Sequence, residues 1–323
     1  MEFDIIRRYF LDQPVKRADV IVPSGDDCAV TRVPQGYDLV STIDVMNEDI
    51  HFPKSTNPHA IGYKLLAVSV SDCAAMGATP AWVTATISIP SVDERWIAAF
   101  STGFFDCAKR YQVQLIGGDL TRGPLSLTSH VQGLVPQGKA ITQSGAQVGD
   151  IVYVTGNLGD AALALAAIQN RVLLEASQLK SLQKALDYPE PPATFAIQLI
   201  DIATSCADIS DGLVAELKQI NQASNVGIEI YAADLPLSAI LQTLPLETAL
   251  RYALYGGDDY QLCFTANKKH NAKLKQIAQA AGIRLSKVGQ VVPEKTFTLI
   301  DKSGNAMKPL LGGYQHFSVH QDK

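Results

Sequence analysis

Six short acidic motifs recur along a chain of 323 residues, and their side chains are the ones that could do chemistry. They are Gly25-Asp26-Asp27, Ser41-Thr42-Ile43-Asp44, Ser71-Asp72, Gly117-Gly118-Asp119, Asp208-Ile209-Ser210-Asp211-Gly212 and Gly256-Gly257-Asp258-Asp259. Carboxylate and hydroxyl oxygens are hard donors that suit a divalent cation such as Mg2+. Glycines in loops such as Ile116-Gly117-Gly118-Asp119 let backbone amides come close to a phosphate. Any one motif alone is explained by turn chemistry, because Asp and Gly populate turns and helix caps for local reasons. Taken together they point to phosphate groups held through several cations, the arrangement that phosphoryl transfer needs.

Asp72 is the most telling of these residues. Ile61, Leu65, Val68, Asp72 and Met76 recur at helical spacings of three and four, so one carboxylate falls on an apolar stripe. A carboxylate losing hydration there costs several kcal/mol unless a partner compensates it. A buried ion pair is one such partner, and a magnesium ion is the better one.

Other chemistries find little support. There is no GxxxxGK[ST] loop, and Thr155-Gly156-Asn157-Leu158-Gly159-Asp160 only half-resembles a dinucleotide loop, so it reads as a strand-to-helix turn. No Ser-His-Asp or Cys-His order stands out. His51 is the histidine nearest an aspartate motif, seven residues past Asp44. The five cysteines are scattered without a CxxC pair, which reads as reduced thiols rather than a disulfide frame or zinc site.

The net charge of −5 supplies no basic stripe and argues against a nucleic-acid partner. No apolar run approaches the roughly 20 residues a bilayer requires, and the first residues carry no secretory pattern. The expectation is a cytoplasmic protein with no membrane partner.

Mixed α and β elements must position these motifs. Val83–Ile89 alternates as a half-buried strand, and Leu125–Gln132 is a weaker candidate. Ser91-Val92-Asp93-Glu94 has capping-box spacing ahead of an amphipathic helix carrying Trp96, Phe100, Gly103 and Cys107. Polar, glycine-containing sequence at 137–149 marks a domain boundary. Beyond it, strands are expected at 151–154, 228–231, 261–265 and 297–300, and helices at 160–168, 193–204, 212–223 and 271–281. The fold class is α/β (α+β), with one mixed domain over 1–139 and a larger C-terminal α/β domain over 149–323.

In chain order these blocks resemble the thiamine-monophosphate kinase family, within the aminoimidazole-ribonucleotide synthetase superfamily. The resemblance rests on Gly25–Ala29, Leu66–Ala78, Leu115–Gly123, Val152–Gly156, Asp208–Leu213 and Gly256–Thr265. It implies ATP-dependent conversion of thiamine monophosphate to thiamine diphosphate, with several Mg2+ ions and ATP as co-substrate. It also implies a homodimer in which the N-terminal sheets pair into a barrel-like interface. By position, Asp27, Thr42, Asp44, Asp72, Asp119, Asp208 and Asp211 fall where the family binds metal. Gly118, Asp119 and Ser210 fall at its ATP contacts, and His51, Asp258 and Tyr314 at its thiamine-substrate contacts. No catalytic acid or base is implied, only metal-templated in-line transfer. Three positions depart from the family pattern: Ile43 replaces a Thr, Gln143 an Arg that touches ATP, and Asp258 a Glu. Two alternatives are another ATP-dependent synthetase of the superfamily and a nucleotide-binding regulator without turnover.

Overall fold

In the computed structural model, which describes residues 2–307, both units into which the chain divides mix helices and strands. One unit holds Met1–Ala140 with Asp187–Ile200, and the other holds Ile141–Leu186 and the chain from Asp201 onward.

The first unit opens with α1 (Glu2–Ile6), continued by a π-helical turn over Arg7–Leu11. There follow β1 (Val20–Val22), β2 (Val30–Thr31), β3 (Tyr37–Asn47), α2 (Pro58–Ala75), β4 (Thr79–Ile89), α3 (Glu94–Tyr111), β5 (Gln114–Arg122) and β6 (Ser126–Pro136). Four of these strands form a sheet in the order β3-β6-β4-β5, antiparallel except for the parallel pair β4 and β5.

Helix α2 starts where Asn57 Oδ1 accepts the His59 N–H at 2.9 Å and Pro58 supplies a preset φ at the first helical position. It is buried on nearly every side, so the apolar stripe expected through Asp72 is in fact an apolar girdle. Asp72 is the one residue between Ala60 and Ala75 that is not buried. Two glycines let α2 and α3 touch backbone to backbone. A Cβ on Gly62 would lie 2.0 Å from Phe100 O, and one on Gly103 would lie 1.8 Å from His59 O.

The second unit runs through β7 (Ile151–Thr155), α4 (Asp160–Ile168) and α5 (Ala176–Asp187). The segment that belongs to the first unit then carries α6 (Ala193–Ala196). The rest comprises β8 (Ala203–Asp208), α7 (Leu213–Ser224), β9 (Gly227–Tyr231), α8 (Leu246–Tyr255), β10 (Leu262–Ala266), α9 (Asn271–Ala280), β11 (Leu285–Val292) and β12 (Phe297–Ile300). Among the described residues its sheet has the order β12-β9-β11-β7-β10-β8. Leu213, Leu217 and Ile220 of α7 and Leu250 and Leu254 of α8 share one core with the strand residues Val152, Val154 and Ile228.

Three local expectations need correction. The helix expected over 193–204 stops at Ala196, a 3-10 turn follows, and β8 begins at Ala203. Asp201 takes a positive φ of 63° there, and pairing with β10 outweighs the helical pattern. Helix α3 is capped by Asp93, whose Oδ1 accepts from Arg95 N and Trp96 N, rather than by Ser91. A carboxylate at that end also gains from the helix dipole. Gly117-Gly118-Asp119 is not a loop but the middle of β5, just after an irregularity where Ile116 has no partner on β4.

Candidate functional site

In the first unit, Thr42 and Asp44 stand two apart on β3, so both point to one side of that strand. That side faces α2. The Thr42 hydroxyl donates to Asp72, and the Ser69 hydroxyl donates to Asp44 Oδ2 at 2.6 Å. Ser129, the partner of Asp44 across β3 and β6, lies 2.6 Å from Ser69 Oγ and continues the hydroxyl chain. Burial raises the Asp44 pKa above the ordinary carboxylate range, opposed by the Ser69 hydrogen bond and by the charge of His51. Burial also pushes the Cys73 thiol up to about 12, with the Asp72 and Asp44 charges adding to it. Thr42, Asp44, Asp72, Ser69 and His51 thus form one oxygen-rich corner between a strand and a helix.

A second feature of this unit is a cavity of about 450 Å3. Asp26, Asp27, Gly117, Gly118 and Asp119 line one part of it. Gly118 has φ +156°, and any Cβ there would lie 2.0 Å from Ala85 O, so only glycine lets β5 pass this close to β4. Asp26, Asp27 and Asp119 are exposed.

In the second unit, Asp208 ends β8 and Asp211 lies just before α7. Three backbone bonds tie this stretch to the glycine-rich loop: Asp258 N to Ser210 O at 2.9 Å, Tyr260 N to Ile209 O at 2.8 Å and Ile209 N to Gln261 O at 2.7 Å. Asp208, Ser210, Asp211 and Asp258 are therefore brought together. Asp258 and Tyr260 both hold left-handed φ values, 69° and 46°, a strain that concentrates at ligand sites. Tyr260 OH donates to Asp258 Oδ1 at 3.1 Å. Buried Asp259 accepts the Gly159 N–H at 2.9 and 3.0 Å, which fastens the β7–α4 turn to the loop. Burial raises the Asp259 pKa well above its ordinary value, the Gly159 bond opposes this, and the Asp160 and Asp258 charges raise it further.

Tyr314 lies outside the described residues. Among the described residues no group of three or more His, Cys, Asp or Glu side chains is gathered as in a preformed metal site. The donor set around Thr42, Asp44 and Asp72 still fits a hard cation by type, since every donor is an oxygen. Sequence reasoning missed Ser69, Ser129 and the Asp259–Gly159 contact. Ser69 was within reach, because it stands three residues before Asp72 on the same helix face. The other two depend on partners far along the chain.

The description "AIR synthase related protein, N-terminal domain" matches residues 25–137, and its C-terminal counterpart matches residues 147–302. Thiamine-monophosphate kinase of Escherichia coli (strain K12) is 41% identical over 320 residues, covering 98% of each chain. The crystal structure of thiamine-monophosphate kinase from Stenotrophomonas maltophilia K279a superposes with a TM-score of 0.85 at 39% identity, covering 94% of this chain and 96% of that one. AaThiL complexed with AMPPCP and TMP superposes with a TM-score of 0.77 at 28% identity, covering 90% and 91%. Matched along almost its full length by sequence and by fold, the chain belongs to the AIR synthase related protein family, among its thiamine-monophosphate kinases.

Proposed function

We propose that this protein phosphorylates thiamine monophosphate to thiamine diphosphate with ATP, by direct in-line transfer, in thiamine diphosphate biosynthesis. The observation that carries the reading is the oxygen-rich corner of Thr42, Asp44 and Asp72, built from strand and helix rather than from turns. Its likeness to thiamine-monophosphate kinases over nearly the whole chain supports the substrate, as does the presence of AMPPCP and TMP in AaThiL.

The acceptor is already a phosphate with a second pKa of about 6, so near neutral pH it attacks without a base to deprotonate it. No side chain need act as acid or base. Bound Mg2+ supplies the charge neutralisation that two polyanionic substrates require. In the first unit Asp27, Thr42, Asp44, Asp72 and Asp119 hold the metal, and in the second Asp208 and Asp211 do so. Gly118, Asp119 and Ser210 contact ATP, and His51, Asp258 and Tyr314 contact the thiamine substrate. The Ser69 and Thr42 hydroxyls orient the carboxylates of Asp44 and Asp72. Ile43 points away from this corner on β3, so its side chain takes no part in metal binding there.

The first unit is the dimerising and nucleotide-binding domain of a homodimer. Edge strand β3 supports this, because Leu39, Ile43 and Val45 are exposed on its outer face, Ile43 to 65%. The protein works in the cytoplasm, consistent with five free cysteines. Among the described residues no helix is long and apolar enough to cross a membrane.

The test is an ADP-release assay with Mg2+ and a panel of phosphorylated acceptors, with thiamine diphosphate measured as product. Release that depends on thiamine monophosphate supports the reading. Binding of ATP without release favours a regulator, and release with a different acceptor favours another superfamily activity.

A further inference from the structure

We propose that Asp259 and Tyr260 are positioning residues for the thiamine substrate, holding the Asp258 carboxylate from two sides: Asp259 through the Gly159 amide and Tyr260 through its phenol. The inference rests on the reading above in which Asp258 contacts that substrate, and it adds what fixes Asp258 in place.

The loop between α8 and β10 is pressed against its neighbours in the second unit. A Cβ on Gly256 would fall 2.5 Å from Ala162 Cβ of α4, and one on Gly257 would fall 2.5 Å from Ser210 O. Two glycines are thus spent on close approach, and neither takes a positive φ; the left-handed backbone falls on Asp258 and Tyr260 instead. A left-handed turn by itself is met at least cost by glycine. Strain placed on residues that carry side chains persists only where the surroundings over-determine it, and it gathers at ligand sites.

The surroundings here do over-determine it. The Asp258 and Tyr260 amides donate to Ser210 O and Ile209 O at 2.9 and 2.8 Å. Between them Asp259 is buried, and both its oxygens accept the one Gly159 N–H, at 2.9 and 3.0 Å. That amide is itself fixed, because Gly159 holds φ +83° and a Cβ there would lie 2.7 Å from Ala253 N of α8. Gly159 is also the N-cap of α4, so Asp259 ties the middle of the strained turn to the start of a helix. Tyr260 works from the other side, its hydroxyl donating to Asp258 Oδ1 at 3.1 Å. Asp258 is one methylene shorter than the Glu of the family pattern, so its reach depends on where backbone and Tyr260 set it rather than on side-chain freedom. A carboxylate held in this way suits the cationic, amine-bearing rings of thiamine and repels the phosphates of ATP.

The experiment compares the full-length protein with Tyr260→Phe, Asp259→Ala and Asp259→Asn, each checked by circular dichroism. It measures kcat, KM for thiamine monophosphate and KM for ATP. A hydrogen bond to a charged group is worth about tenfold in affinity, so KM for thiamine monophosphate rises about tenfold in Tyr260→Phe. It rises at least as much in Asp259→Ala, which leaves the Gly159 amide without its acceptor. In Asp259→Asn it returns to within about twofold of the wild type, because the amide carbonyl still accepts. KM for ATP changes by no more than about twofold throughout. In an Asp258→Ala background Tyr260→Phe adds no further rise, because it acts through Asp258. An unchanged KM for thiamine monophosphate in Tyr260→Phe, an equal rise in both KM values, or additive effects in the double variant each overturns the proposal. So does a lower Tm with neither KM moved, the mark of a purely structural loop. If Asp259→Ala does not fold, Tyr260→Phe and the double variant decide. If the wild type releases ADP only with a different acceptor, the functional reading fails, and the same comparison run with that acceptor decides the positioning claim. A wild type that releases no ADP with any acceptor defeats both.

Discussion

Replacing Gly103 by alanine sets two effects of opposite sign against each other. Alanine is the better helix former by about 0.8–1 kcal/mol, so propensity alone predicts a more stable α3. The new methyl, however, would lie 1.8 Å from His59 O, against the roughly 3.4 Å of ordinary contact. The two helices must separate by the difference, about 1.6 Å, because the obstacle is the capped first turn of α2 and not a side chain that can swing aside. A gap of about 0.5–1 Å already forfeits a quarter to a half of each dispersion contact. Overpacking of this kind costs about 1–3 kcal/mol, and a shift this large belongs at the top of that range. Net destabilisation of about 2 kcal/mol follows, a drop of about 4–8 °C in Tm at about 2–4 °C per kcal/mol. Thermal unfolding by circular dichroism measures it, with Thr102→Ala on the exposed side of α3 as the control for propensity. A Tm for Gly103→Ala equal to or above the wild type would refute the claim that backbone contact between α2 and α3 sets this position.

Three further outcomes are expected. Asp72→Asn keeps the Thr42 contact possible but removes the charge, so turnover falls by at least about a hundredfold while Tm stays near the wild type, and a near-normal rate would count against Asp72 as a metal ligand. Asp259→Asn should be stabilising in a pH-dependent way. The buried carboxyl titrates above its ordinary 3.8, so between that pH and its folded pKa the folded state keeps a proton that the unfolded chain has lost. Stability of the wild type therefore falls by about 1.4 kcal/mol for each pH unit in that window, and the Tm advantage of Asp259→Asn should be absent at acid pH and grow towards neutrality. For the homodimer proposed above, light scattering should show a dimer for the wild type and a monomer for Ile43→Lys, which places a charge on the exposed face of β3; a variant that stays dimeric would move the interface elsewhere.

Much of the chemistry was legible in the chain itself. The oxygen donors, the glycines beside them and the absence of a basic stripe are properties of composition and spacing, and they suffice to propose cations and phosphate. Helix α3 and strands β4 and β7 were equally legible, because amphipathic periodicity is local. What remained hidden depended on distant partners. Strand β3 carries Thr42 and Asp44 but reads weakly, since its outer face alternates apolar side chains into solvent instead of polar ones. Residues 203 and 204 close the helix expected over 193–204, yet they open β8, which pairs with β10. Turn chemistry and site chemistry use the same Asp and Gly residues, so only the fold separates them. Asp44, Asp72 and Asp119 lie within a strand, a helix and a strand, where no turn requires an aspartate. Residue types are written one position at a time, whereas the convergence of Thr42, Ser69, Asp72 and Ser129 arises when a buried helix crosses a sheet.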